Sequence, residues 1–419
     1  MTATSNTPQT AEAQDSPFTV RSLTDADWPA AKALDAAAFG YRQDDDFLDT
    51  VVLPTLELSR FTGVFDPALD DLLVGIGAVQ SRRLTFPGGG HEPVAAVTWV
   101  GVRPDQQRRG VLRSLMTAQL HGLRANSAEP VAILTASESG IYGRFGYGLA
   151  THTVRLELSA PTVLRPGTPT EPVREVERSR ALPLLQAIHT RVAPQFPGYL
   201  DRSDEVLAGL FSEHPFAEKG RGIRRYAVHA DGYIVYRLSD SWNERGPDYT
   251  LTVLELTAAT PIARASLWRH VLAYPLVRKV VYPKAWVDEP LPELLGNPRA
   301  LAGDIGDHVW VRLVDLSRAL DLRRYSVDLD VVVRVRDRFC PWNDGTWRLA
   351  LSGAGGRATS TSEPADVELD VEDLGAAFLG GTRLARLAVA GRVTGSPDGI
   401  AQLDAAFGTA LRPWTPEGF

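Results

Sequence analysis

The sequence predicts an α+β protein of three domains in succession behind a short polar tail. Three observations point there. Between Val94 and Leu134 an apolar run, a glycine turn, an amphipathic pattern and a second apolar run follow one another. A weaker version of the same order recurs from Leu251 to Leu272. Beyond Pro298 the pattern changes to alternating strands around Asp344-Gly345, with helical stretches after them. A chain of 419 residues exceeds one compact core, and ordinary domain sizes put about two to four units in it. The expected boundaries are 1–16 for the tail, then 17–165, 166–300 and 301–419 for the domains.

Met1 to Ser16 is polar and lacks both a basic start and an apolar stretch, so it reads as a disordered tail rather than a signal peptide. Phe18 to Leu23 is a strand candidate, and Thr24 then caps a helical pattern running from Ala30 to Phe39. Leu72 to Val79 and Leu84 to Phe86 alternate as strands, and Pro87 to Gly90 turns the chain. Val94 to Val102 is a long strand-like run that leads into the glycine turn. From Val111 to Leu123 the apolar positions 111, 112, 115, 116, 120 and 123 mark one face of a helix. Val131 to Leu134 is a short buried strand.

Pro161 to Arg174 links to the second domain. There Leu251 to Leu256 reads as a strand, Thr257 to Arg264 as a linker and Ser266 to Leu272 as a helix, an internal duplication of Val97 to Met116. The copy has no glycine matching Gly110, so it reads as scaffold. In the third domain Val309 to Val314, Ser326 to Val335 and Trp347 to Leu351 alternate as strands, with a hairpin turn at Asp344-Gly345. Val371 to Phe378 and Ile400 to Phe407 look helical. Two prolines stiffen the end, Pro413 to Phe419.

Apolar residues make up 44% and charged residues 23%, ordinary for a globular protein. A net charge of −7 recruits neither nucleic acid nor an anionic membrane, and suits a cationic substrate better. Lysine occurs only at positions 32, 219, 279 and 284 among 44 basic residues. Cys340 is the single cysteine, which excludes an intrachain disulfide and a thiolate metal cluster and fits a reducing compartment. No apolar run approaches the roughly 18 residues of a spanning helix, so a cytoplasmic location is expected. The histidines show no metal-ligand spacing, and His91 and His121 read as hydrogen-bonded surface or core residues. Asp44 to Asp46 reads either as a solvated loop or as an attractor for a polycation.

Two stretches carry chemistry. The helix from Val111 starts at the glycine turn, so its opening N–H groups point toward Gln107 to Gly110 and can receive an anion such as a pyrophosphate. The second stretch, Ile141 to Tyr147, places a phenol, Tyr142, shortly after the next strand. On its residues alone Tyr142 reads as one more aromatic packed in a glycine-rich turn.

At these residues the chain resembles the GCN5-related N-acetyltransferase (GNAT) superfamily, and within it the enhanced intracellular survival (Eis) family of actinobacterial acetyltransferases. Gln107 and Gly110 fit the superfamily pattern, whereas Leu112 occupies its last small position. Arg108 to Arg113, Ser137-Glu138 and Ile141 to Gly148 match the Eis form closely. The resemblance implies two GNAT-type lobes, the first functional and the second degenerate, followed by a sterol-carrier-protein-like α+β domain entered through Asp307 to Asp315. It implies acetyl-CoA as acyl donor with no metal, amine acceptors including aminoglycosides, polyamines and exposed lysines, and a homohexamer. Carried over to this chain, Val100, Gly101 and Val102 would hold the pantetheine arm, and Arg108, Arg109, Gly110, Val111, Leu112 and Arg113 the pyrophosphate. Ser137 and Glu138 would line the other side of the splayed strands. Tyr142 would be the general acid and the C-terminal carboxylate of Phe419 the base, with Gly418 replacing an acidic penultimate residue. A disordered end is the competing reading of that tail. The rival function is a non-catalytic CoA-sensing or lipid-binding protein that uses the C-terminal domain.

Overall fold

The computed structural model describes residues 16–126, 128–244 and 246–419. The expected tail lies outside them except for Ser16, whose hydroxyl is 3.0 Å from that of Ser114. The chain divides into two compact units, residues 1–81 with 96–128 and residues 82–95 with 129–419.

The first unit contains β1 (Thr19–Ser22), α1 (Trp28–Phe39), β2 (Phe61–Asp66), most of β3 (Leu72–Thr85) and of β4 (His91–Val102), and α2 (Val111–Asn126). β1 pairs antiparallel with β2, and β2 with β3, with a register shift after Val64. Sequence reading split β3 at residues 80–83, where polar side chains interrupt the alternation. The strand continues because Gln80, although buried, donates to the Thr55 carbonyl at 3.0 Å. A capping box of Thr24 and Asp27 opens the turn before α1, and left-handed Gly40 closes that helix. Trp28, Ala31 and Leu34 of α1 bury against Phe61, Phe65 and Ile76, while Val111 and Leu115 of α2 pack with Phe18, Val64 and Val74.

The second unit begins with β5 (Val131–Thr135), β6 (Gly148–Leu149), β7 (His152–Ser159), β8 (Arg174–Val176), α3 (Arg178–Val192) and α4 (Asp204–Leu210). It continues through β9 (Ile223–His229), β10 (Gly232–Leu238), β11 (Tyr249–Ala258), α5 (Pro261–Leu272), β12 (Val277–Trp286), β13 (Leu301–Asp307) and β14 (Val309–Leu313). One sheet runs in the order β13-β7-β12-β11-β10-β9-β8. Its core holds Leu251, Val253, Leu267, Trp268 and Tyr282, all essentially without solvent contact.

The expected linker Thr257 to Arg264 is in fact the end of β11 followed by the first turn of α5. Thr260 caps that helix through its side chain, which accepts from Ala263 N, and Pro261 takes the first helical position. The Thr260 hydroxyl takes up the Ala263 amide, and Pro261 has no N–H to offer an anion.

Where sequence reading starts the third domain, at 301, the chain is still hydrogen-bonded into the preceding sheets. β13 pairs antiparallel with β7, and β14 pairs antiparallel with both β5 and β6. After α6 (Leu316–Leu322) a five-stranded sheet forms from β15 (Leu329–Arg336), β16 (Gly345–Ser352), β17 (Gly355–Ser360), β18 (Val367–Asp370) and, beyond α7 (Val371–Ala377) and α8 (Leu384–Val389), β19 (Thr394–Gly395). Its order is β17-β16-β15-β18-β19, with β15 and β18 parallel. α9 (Pro397–Phe407) follows, and Phe407 stacks edge-on against Tyr325 at 5.4 Å. Cys340 is buried.

Candidate active site

In the first unit the glycine turn is built by left-handed backbone. Arg108 has φ +62° and Gly110 φ +91°, both in the left-handed region. Gly110 O accepts from Ser114 N at 2.9 Å, so Gly110 opens α2. Nothing lies within 4 Å of where a Cβ on Gly110 would stand. Open space at the start of α2 and the exposed Arg108 side chain together fit a diphosphate.

Arg109 is placed differently from its neighbour. Its guanidinium lies 2.8 Å from Asp66 Oδ2, a carboxylate with 2% side-chain exposure, and 5.6 Å from the Phe18 ring. That contact anchors the turn to β2. Val100 and Val102 are half-buried near the end of β4, and Gly101 sits against Leu34 and Ala38 of α1. Trp99, which sequence reading passed over, has φ +54° and kinks β4 just before them, held by Trp28 and Phe61 at 5.5 and 5.7 Å. A non-glycine residue in that region carries strain that tight packing must hold.

In the second unit β5 ends at Thr135, followed by exposed Ser137 and Glu138 and then the turn Tyr142–Phe145. Tyr142 is 8% exposed and meets Tyr147 edge-on at 6.0 Å. Burial, with a smaller contribution from the Glu138 charge, pushes its phenol up to about 12. The hydroxyl therefore stays protonated throughout the neutral range and is a donor.

The glycines of this string are contact points. A Cβ on Gly146 would lie 2.3 Å from Arg312 Nη1, and one on Gly148 would lie 1.8 Å from the Glu372 carbonyl of α7. Gly146 also has φ +82° and closes the turn. Phe145 stacks on Phe339 at 5.0 Å, and buried Arg312 pairs with buried Asp337 at 2.6 Å. The C-terminal domain thus supports the loop that carries Tyr142.

The chain end is packed, not free. Residues 413–417 are buried. Trp414 N donates to Pro197 O at 2.8 Å, and Trp414 lies among Phe196, Tyr199 and Trp286. His308 Nε2 is 3.1 Å from the Thr415 carbonyl; burial, then the nearby Lys284 charge, lowers the imidazole to about 4, leaving it neutral. Glu417 binds Arg82 at 2.8 Å and Arg202 at 3.4 Å, and Arg202 forks onto Glu255 with two contacts of 2.9 Å. Burial opposes the Arg202 charge, but Glu255 and Glu417 outweigh it and hold its pKa above the usual arginine value. Thr135 Oγ1 then donates to the Phe419 carbonyl at 2.8 Å, which sets the last residue at the end of β5.

The structure therefore brings Phe419 to the strand that precedes Ser137, Glu138 and Tyr142. Sequence reading missed Thr135, Arg82, Arg202, Glu255, Glu417 and Lys284. Arginine and glutamate in isolation give no signal that they are buried, and their spacing along the chain carries no motif.

Comparison with known proteins agrees with this architecture. Acetyltransferase (GNAT) domain models match residues 19–150 and 198–313, and a sterol carrier protein domain model matches 316–416. An uncharacterized N-acetyltransferase of Streptomyces avermitilis is 36% identical over 87% of this chain and 90% of its own length. N-acetyltransferase Eis of Mycobacterium tuberculosis is 32% identical over 93% of this chain and 96% of its own. The crystal structure of Eis1 from Mycobacterium abscessus superposes with a TM-score of 0.85 at 32% identity, covering 96% of this chain and 100% of that one. Two GNAT lobes, a sterol-carrier-like domain and near full-length similarity make the conclusion plain: the chain belongs to the Eis-like N-acetyltransferases of the GNAT superfamily and is an acetyltransferase.

Proposed function

We propose that this enzyme transfers the acetyl group of acetyl-CoA to amines of small polycationic molecules, such as aminoglycosides or polyamines, or to exposed lysines. The turn at Arg108 to Arg113 supports the donor half of the reading: helix-start amides and open space above Gly110 suit a diphosphate. Val100 to Val102 would pair with the pantetheine arm, and a backbone N–H there would polarise the thioester carbonyl. When bound, the donor supplies an activated acyl group. The chain supplies position and proton transfer.

Tyr142 would donate to the departing sulfur. Its raised pKa makes it a poor acid on paper but a permanent hydrogen-bond donor, which is what a developing thiolate needs. The carboxylate of Phe419 would take the proton from the attacking amine, and its docking on Thr135 supports that role. The observation that carries the reading is this juxtaposition of the tail with the strand leading to Tyr142. A net charge of −7 favours a cationic acceptor.

A thiol-release assay with acetyl-CoA and a panel of polyamines and aminoglycosides tests the proposal. Tyr142→Phe is expected to lower kcat by about 100-fold while leaving acetyl-CoA binding nearly unchanged. No thiol release above background, with tight lipid retention, would favour a binding protein instead. Equal loss of binding and turnover in the variant would make Tyr142 a packing residue.

A further inference from the structure

Lys284 lies on a break in β12. The pairing of β12 with β7 shifts register between Tyr282 and Ala285, and such bulges re-aim the side chains they carry. The lysine side chain is accessible to solvent, yet its amine reaches into the recess of the chain end. A Cβ on Gly418 would stand 3.2 Å from Lys284 Nζ, and the same position lies 3.8 Å from Thr135 Oγ1. The glycine at 418 leaves room for the amine.

Among the described residues no carboxylate forms an ion pair with Lys284 and no group hydrogen-bonds to it, in contrast with Lys32 and Lys279, which pair with Asp49 and Glu157. His308 feels the Lys284 charge, and Glu417 and Phe419 flank Gly418 on the neighbouring tail. His308 is neutral above about 4, and Glu417 is engaged by Arg82 and Arg202. Desolvation by the surrounding protein lowers the lysine's pKa from its ordinary value, so its neutral form is more accessible near pH 7 than that of a surface lysine.

We propose that Lys284 is the proton acceptor of the transfer reaction, receiving from the Phe419 carboxylate, across a bridging water, the proton that the acceptor ammonium must lose. The inference rests on the proposed acetyl transfer and deepens it, because a carboxylate alone is a weak base for an alkylammonium. The acceptor ammonium gives one proton to Lys284 Nζ, which returns it to water. The freed amine forms the N–C bond as the C–S bond breaks. Its second proton restores the Tyr142 hydroxyl, which has protonated the thiolate.

The test has two readouts. With only four lysines in the chain, reductive methylation with 13C-formaldehyde gives few signals, and the one absent in Lys284→Arg is expected to titrate at lower pH than the others. In kinetics, Lys284→Met and Lys284→Arg are both expected to lose about 100-fold in kcat/KM at pH 7 with a strongly basic amine and to stay within about twofold of wild type with trifluoroethylamine, which is already neutral. Arginine keeps the charge but accepts no proton, so recovery in Lys284→Arg would overturn the inference. So would equal loss on both amines, or titration of Lys284 together with the other lysines. Absence of wild-type turnover on every amine would refute the acetyl-transfer reading and this inference with it, whereas wild-type turnover with any of the overturning patterns refutes this inference alone.

Discussion

Replacing Glu417 by glutamine removes one charge from a cluster that has almost no access to water. Side-chain exposure is 5% for Arg82, 0% for Arg202 and 2% for Glu417. Leaving a buried charge without its partner costs about 3–5 kcal/mol. Two contacts soften the loss here: Arg202 keeps its two 2.9 Å bonds to Glu255, and Arg82 keeps Asp201 at 3.1 Å. The lower end, about 3 kcal/mol, therefore applies to the docking of the tail, or roughly 100-fold in that equilibrium. Hydrogen exchange of residues 408–419 reads the docking directly, and kcat at saturating acetyl-CoA reads its consequence. Protection of these amides and turnover should both fall, while binding of acetyl-CoA should not. Unchanged exchange together with unchanged kcat would refute the reasoning, because the tail would then be held by Trp414 and its neighbours alone.

Gly110→Ala meets no neighbour but must keep a left-handed backbone, so it is expected to weaken acetyl-CoA binding with a stability loss of only about 1–2 kcal/mol; calorimetric titration and thermal unfolding check this. Gly148→Ala would press on the α7 backbone and is expected to cost about 3 kcal/mol and most of the turnover, whereas Gly140→Ala, with nothing within 4 Å, should be silent in the same assays. Asp373 is 2% exposed; burial raises it from 3.8 to about 6, with Arg392 opposing and Glu372 and Asp370 adding to the rise. Because the folded state holds this proton longer than the unfolded one, the carboxyl costs stability as pH climbs from about 4 through 6, so Asp373→Asn is expected to gain up to about 2–3 kcal/mol at pH 7 and nothing below pH 4, as denaturant midpoints across pH will report.

What sequence made legible was local. The apolar face of α2, the strand before it and the turn at Gly110 follow from spacings of a few residues, and the structure has them in place. The start of α5 is signalled by Thr260-Pro261, a capping residue followed by proline at the first helical position, although the spacing there predicts a linker. The anchoring of Arg109 by Asp66 was not, because an arginine beside a glycine turn looks the same whether it faces a phosphate or a carboxylate. The cluster under the tail joins residues 335, 215 and 53 positions apart. Nothing in a single chain of letters marks such partners, since the burial that makes them matter arises only once the fold has formed.

The seam between Gly148 and α7 makes the third domain more than a passenger. A glycine there lets two main chains touch without any intervening side chain, a fit that a looser attachment would not require. Excising the last hundred residues to obtain a minimal catalyst would strip the wall from behind the tyrosine loop, and damage far out in that domain should surface first as sluggish chemistry rather than as lost cofactor.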